Sequence, residues 1–103
     1  MMIKSKLIKT IAKKMTHLSE QRVEEAVNLI LTCMSDALKN GQRIDIRDFG
    51  AWTVRTMPAR KAFNPKTGEK LTTKPTAKIH FKPGLGLKAR VNAARERVTI
   101  ETD

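Results

Sequence analysis

The sequence predicts an α+β fold: an N-terminal helical hairpin, a three-stranded antiparallel sheet with a protruding basic β-arm, and a short C-terminal helix. Three observations carry that reading. Apolar residues recur at helical spacing through residues 4–38, and at 43–54 they switch to alternation with polar residues. A long cationic stretch then precedes a second alternating run, AKIHFKP at 77–83.

Leu7, Ile8, Ile11 and Met15 share one helical face among Lys4, Lys6, Lys9 and Lys13, which predicts an amphipathic helix over 4–15. Ser19 is the expected N-cap of a second helix, with Glu20 at the positive end of its dipole and Arg22 where a capping box would place Glu. Val23, Ala26, Val27, Ile30, Met34, Ala37 and Leu38 form its stripe, and Asn40-Gly41 stops it. At about 1.5 Å per residue such a helix is roughly 30 Å long. In RIDIR, Ile44 and Ile46 alternate with Arg43, Asp45 and Arg47, as in a half-buried strand. Phe49-Gly50-Ala51-Trp52 is the expected tight return into a strand on which Trp52 and Val54 share a face. Ile79 and Phe81 mark the third strand, and Pro83-Gly84 ends it and opens a last helix with Leu87 and Val91 inward.

The chain has 103 residues, 40% of them hydrophobic, which suffices for one core and not two. The expected organisation is a single domain over 1–94, with an arm at about 57–76 and a C-terminal tail at 95–103. Its net charge of +11 calls for a polyanion or an anionic surface as partner. No apolar run reaches the roughly 18 residues of a membrane span, and the opening stretch, broken by Lys9, Lys13 and Lys14, lacks the cleavage site of a signal peptide. Cys33 lies within an apolar helical pattern and is expected as a buried, inert thiol in a reducing compartment. His17 and His80 are far apart, with no metal-ligand spacing and no glycine-rich phosphate loop, so no enzyme, cofactor, metal or small-molecule substrate is expected.

Charge is concentrated in residues 55–82, where Arg55, Arg60, Lys61, Lys66, Lys70, Lys74, Lys78 and Lys82 face Glu69 as the single acid. Between Met57 and Pro75 the large apolar side chains are Phe63 and Leu71, and Asn64-Pro65-Lys66-Thr67-Gly68 is a compact turn sequence. The pattern predicts a hairpin with its tip at Pro65. With legs of seven or eight residues at about 3.3 Å each, it would reach roughly 25 Å. A two-stranded hairpin is marginal in water without a ligand.

RIDIRDFGAW at 43–52, Asn64-Pro65-Lys66-Thr67-Gly68 and HFKPG at 80–84 resemble the family of HU and integration host factor, small dimeric bacterial DNA-bending proteins. The resemblance covers roughly residues 2–94, and HLSEQRVEEAV at 17–27 brings the chain nearest the beta-type subunits. It implies an intertwined dimer, as homodimer or as heterodimer with an alpha-type subunit, whose two arms embrace double-stranded DNA in a bacterial nucleoid. Pro65 would intercalate between base pairs and bend the duplex, a mechanism known for minor-groove architectural proteins. Along the arm, Arg60, Lys61, Phe63, Asn64, Lys66, Thr67, Gly68, Lys70, Lys74 and Lys78 would meet phosphate, sugar or groove. Lys4, Arg55, Lys82 and Lys88 of the body would hold flanking DNA. Arg47 corresponds to an arginine that reaches the minor groove and Asp45 to the acid that orients it; the alternative is an exposed ion pair worth about 0–1 kcal/mol. The chain departs from the family pattern at Phe63, where Arg is usual, at Asp48, where Gly is usual, and at Leu85, where Lys is common.

An RNA-binding or ribosome-associated protein is the competing class. RNA readers stack bases on sheet aromatics, whereas this chain has no Tyr and its three Phe and one Trp fall mostly in apolar alternation. Membrane-surface binding by residues 1–15 is not expected. The body's core is thin for its size, so a second chain is expected to supply burial, with no folded monomer at micromolar concentration.

Overall fold

The computed structural model of the chain describes residues 1–59, 61–63, 66–72 and 74–101, with the backbone alone at 61–63 and 70–72. The elements run α1 (Lys4–Lys14), α2 (Glu20–Lys39), β1 (Ile44–Ile46), β2 (Gly50–Met57), β3 (Lys61–Phe63), β4 (Lys70–Thr72), β5 (Thr76–Pro83) and α3 (Leu85–Ala94). β1, β2 and β5 form an antiparallel sheet in that order, and β3 and β4 form a separate antiparallel pair.

The hairpin of α1 and α2 follows from its stripes and cap. The Ser19 side chain accepts a hydrogen bond from the Arg22 backbone N–H at 3.2 Å, which satisfies one of the donors left open at a helix start. Ile8, Val23 and Val27 are buried together, with Leu7, Ile11 and Ala12 packed against them. α1 ends one residue earlier than its stripe suggested. Met15 takes the C-cap, its N–H donating to the Ile11 carbonyl, and its side chain is exposed.

That core is small because the α2 stripe is wider than the surface α1 and the sheet cover. Ala26 and Ile30 are exposed, against expectation, and so are the neighbouring Leu29 and Leu31. Cys33 is also exposed rather than buried. On a helix advancing about 100° per residue it sits some 40° outside the arc holding Val23, Val27, Met34, Ala37 and Leu38. α3 buries none of its residues; Leu87 is half-buried, but Val91, expected to face inward, is 61% exposed.

The return between β1 and β2 falls earlier than the Phe49–Trp52 stretch. It is a turn from Ile46 to Phe49, closed by the Phe49 N–H on the Ile46 carbonyl at 3.0 Å, and Gly50 already pairs in β2. Asp48 adopts φ 66°, a left-handed conformation that glycine takes freely and Asp tolerates better than most residues. Gly50 is needed for a different reason. A Cβ there would lie 2.6 Å from the Phe81 ring and 2.8 Å from the Lys82 carbonyl oxygen.

The molecule is open in shape. Its accessible surface is 9418 Å², against about 5,800 Å² for a compact monomer of this mass. Its radius of gyration is 19.5 Å, against roughly 13 Å for a globular domain of this length.

Candidate nucleic-acid interface

Strand alternation gives the β1-β2-β5 sheet two chemically opposite faces. In the pairing register Trp52 stands opposite Ile44 and Phe81, and Val54 opposite Ile79. The rings of Phe49, Trp52 and Phe81 cluster, with centroids 4.8 Å apart for Trp52 and Phe81 and 5.8 Å for Phe49 and Trp52. α2 approaches this side, where Leu38 and Val54 line one cleft with Ile79.

The intervening residues make the other face. Asp45 stands opposite Ala51, Lys82 opposite Ala51 on the other flank, His80 opposite Thr53 and Lys78 opposite Arg55. Arg43 reaches the same face from the approach to β1 and pairs with Asp45, Nη2 to Oδ2 at 3.4 Å. Arg43, Ala51, Thr53, Arg55, His80 and Lys82 line a cleft of about 230 Å³. Thr53 Oγ1 is buried with no hydrogen-bond partner among the described residues. This concentration of cations on one side of a sheet whose other side is apolar suits a polyanion.

The residues singled out in the sequence distribute unevenly over this surface. Arg55, Lys78 and Lys82 lie together on the polar face, whereas Lys4 opens α1 and donates to Asn28 Oδ1 at 3.1 Å, and Lys88 is exposed on α3. Arg47 is in the turn after β1, not on the strand with Asp45, and the ion pair of Asp45 is with Arg43. Arg43 and Thr53 were not among the expected contacts, and His80 was expected as structural or near DNA. Their alternation with Asp45 and Arg55 was visible, but the register joining β2 to β5 across the intervening arm was not.

Towards the arm, Lys61 pairs with Thr72, Ala62 with Leu71 and Phe63 with Lys70, so the described residues of the two legs form an antiparallel pair. At its end Lys66 and Thr67 are exposed and Gly68 has φ 72°; the Glu69 N–H donates to Thr67 Oγ1 at 3.4 Å. Lys74 is exposed just before β5. Arg60, Asn64 and Pro65 lie outside the described residues, as do the side chains of Lys61, Phe63 and Lys70. Among the described residues no group of three or more His, Cys, Asp or Glu could hold a metal ion, and no helix is long and apolar enough to cross a membrane.

Comparison with known proteins places this geometry. The sequence model of a family described as bacterial DNA-binding protein matches residues 2–92. The beta subunit of integration host factor from Halorhodospira halophila is 45% identical over 101 residues, covering 98% of this chain and 99% of that one. The same subunit from Alkalilimnicola ehrlichii is 47% identical over 94 residues, covering 91% and 94%. Among solved structures, an Anabaena HU–DNA cocrystal superposes with TM-score 0.77 at 26% identity, over 87% of this chain and 97% of that one. An HU variant from Thermotoga maritima superposes with TM-score 0.63 at 29% identity, over 87% and 99%.

Proposed function

We propose, from the premise that this chain belongs to the bacterial DNA-binding protein family, that it is an architectural protein that binds duplex DNA and bends it. The reading assigns residues 1–94 to one DNA-binding domain, nearest in kind to integration host factor beta subunits, with 95–103 as a tail. It places the protein on the nucleoid in a bacterial cytoplasm, in recombination and transcription control, and gives it no catalytic step.

The observation that carries most weight is the cationic face of the sheet formed by β2 and β5, the strands on either side of the arm sequence. A duplex lying on that face would meet Arg55, Lys78 and Lys82, and arms from two chains would reach around it in the minor groove. There Pro65 would enter a base step, and Arg60, Lys61, Phe63, Asn64, Lys66, Thr67, Gly68, Lys70 and Lys74 would meet the backbone or groove. Lys4 and Lys88 would hold DNA beyond the bend, and Arg47 would reach the minor groove from the turn.

Dimerisation belongs to the same reading. Among the described residues the buried core is Ile8, Val23 and Val27, small for a domain, and exposed Leu29, Ile30, Ile79 and Val91 supply an apolar surface for a second copy or an alpha-type subunit. Sedimentation should find no compact monomer at micromolar concentration.

Energy transfer between dyes at the two ends of a duplex tests bending. The protein should shorten the end-to-end distance, and Pro65→Ala should bind with most of its affinity while shortening it less. Binding by the unaltered protein with no change in distance would refute the wedge and leave residues 60–84 as a basic tether.

A further inference from the structure

We infer that Asp48 limits the affinity of this chain for duplex DNA: its carboxylate keeps phosphate away from the end of the binding surface where the β1–β2 turn meets the start of α3. The inference rests on the DNA-binding reading above and concerns a place that the arm mechanism leaves untouched.

Asp48 and Leu85 are far apart in the chain and adjacent in the fold. Both line one cleft of about 420 Å³ with Arg43, Asp45, Lys82 and Gly84. The backbone fixes Asp48 there. The Phe49 N–H donates to the Ile46 carbonyl at 3.0 Å, and the Phe49 carbonyl accepts from the Gly84 N–H at 2.9 Å, so the turn is tied to the start of α3. The approach is close: a Cβ on Gly84 would lie 3.2 Å from the Asp48 carbonyl oxygen, and one on Gly86 would lie 4.0 Å from the Asp48 Cβ. The Asp48 side chain therefore leaves the backbone beside the first turn of α3.

Charge makes this position matter. Asp45, the other acid of the cleft, has Arg43 at 3.4 Å. The exposed Asp48 carboxylate makes no hydrogen bond or ion pair among the described residues. Leu85 is 87% exposed and brings no cation to offset it. α3 starts without a side-chain cap and without an acid in its first turn, so its first N–H donors are open beside Asp48.

A duplex held at Lys82 has phosphate within reach of this end. Gly84 lies two residues beyond Lys82, about 7 Å along an extended chain, and a DNA strand carries a phosphate about every 3.4 Å of helix axis. A carboxylate fixed there repels phosphate over a range of about 10 Å at moderate salt. Duplex DNA is therefore held by the centre of the face and by the arms, and a phosphate contact is forgone at the α3 end.

The test is duplex affinity across a salt titration for the unaltered full chain, Asp48→Asn and Glu24→Gln. Asn removes the charge and, like Asp, tolerates a left-handed conformation, so the turn at φ 66° is kept. Glu24→Gln adds the same unit of net charge on α2, the helix that approaches the apolar side of the sheet. Asp48→Asn should tighten binding by about fivefold at low salt and steepen the log–log salt slope by about 0.9 for each phosphate gained, while Glu24→Gln leaves the slope unchanged. Equal effects of the two variants would assign the gain to net charge and overturn the inference, as would an Asp48→Asn variant that binds like the unaltered protein; both outcomes leave DNA binding intact. Absence of any duplex binding by the unaltered protein overturns both readings. Should Asp48→Asn fail to fold, Asp48→Gly decides by the same readouts, since glycine takes the same φ freely and carries no charge.

Discussion

The two faces of the β1-β2-β5 sheet use alternate residues of the same strands and do opposite work. One gathers Trp52, Val54, Ile79 and Phe81 toward α2 and the ring cluster; the other carries Arg55, Lys78, His80 and Lys82 into solvent. Their side chains are neighbours in sequence, yet a change on one face should be felt in stability and on the other in binding. A period of two is what permits this, because adjacent side chains leave a strand on opposite sides.

Trp52→Ala should have the largest effect. The substitution removes the ring packed 4.8 Å from Phe81 and should cost about 3–5 kcal/mol of unfolding free energy in urea titration. An unchanged midpoint would break the assignment of this face to folding and assembly. Gly50→Ala should follow at about 1–3 kcal/mol, because its Cβ would meet both the Phe81 ring and the Lys82 carbonyl oxygen, and the latter is backbone that moves only with the strand.

Asp48→Gly should raise stability by up to about 1 kcal/mol, since it relieves a left-handed conformation held by a residue with a Cβ. Thermal unfolding would show it as a higher midpoint; a lower one would mean that the aspartate side chain supports the turn. Lys82→Ala should change stability least, within about 0.5 kcal/mol. It should instead reduce the log–log salt slope of duplex affinity by about 0.9 for each phosphate that the protein no longer neutralises. An unfolding midpoint that drops as far as for Trp52→Ala would erase the distinction between the faces.

The local signals were readable wherever a short-range physical rule applied. Ser19 caps α2 through Arg22 as its residue type suggested, Asn40-Gly41 and Pro83-Gly84 mark element ends, and the changes of period located the hairpin and the sheet. Legibility failed where coverage by another segment decided the outcome. Cys33 and Val91 belong to apolar patterns, but among the described residues nothing covers them. The turn at Asp48 was misplaced by a few residues because Phe49-Gly50 looks like a return, while the glycine's actual need is room beside Phe81.

By itself the sequence determined the element types, the basic arm between alternating strands and the family resemblance, because these depend on spacing and side-chain chemistry along the chain. Tertiary structure alone decided that Thr53 meets His80, that Ala51 leaves a hollow beside Lys82, and that Asp45 pairs with Arg43 rather than Arg47. Those outcomes depend on the register of strands joined through an arm, and register is set by the packing of a whole face rather than by any one residue.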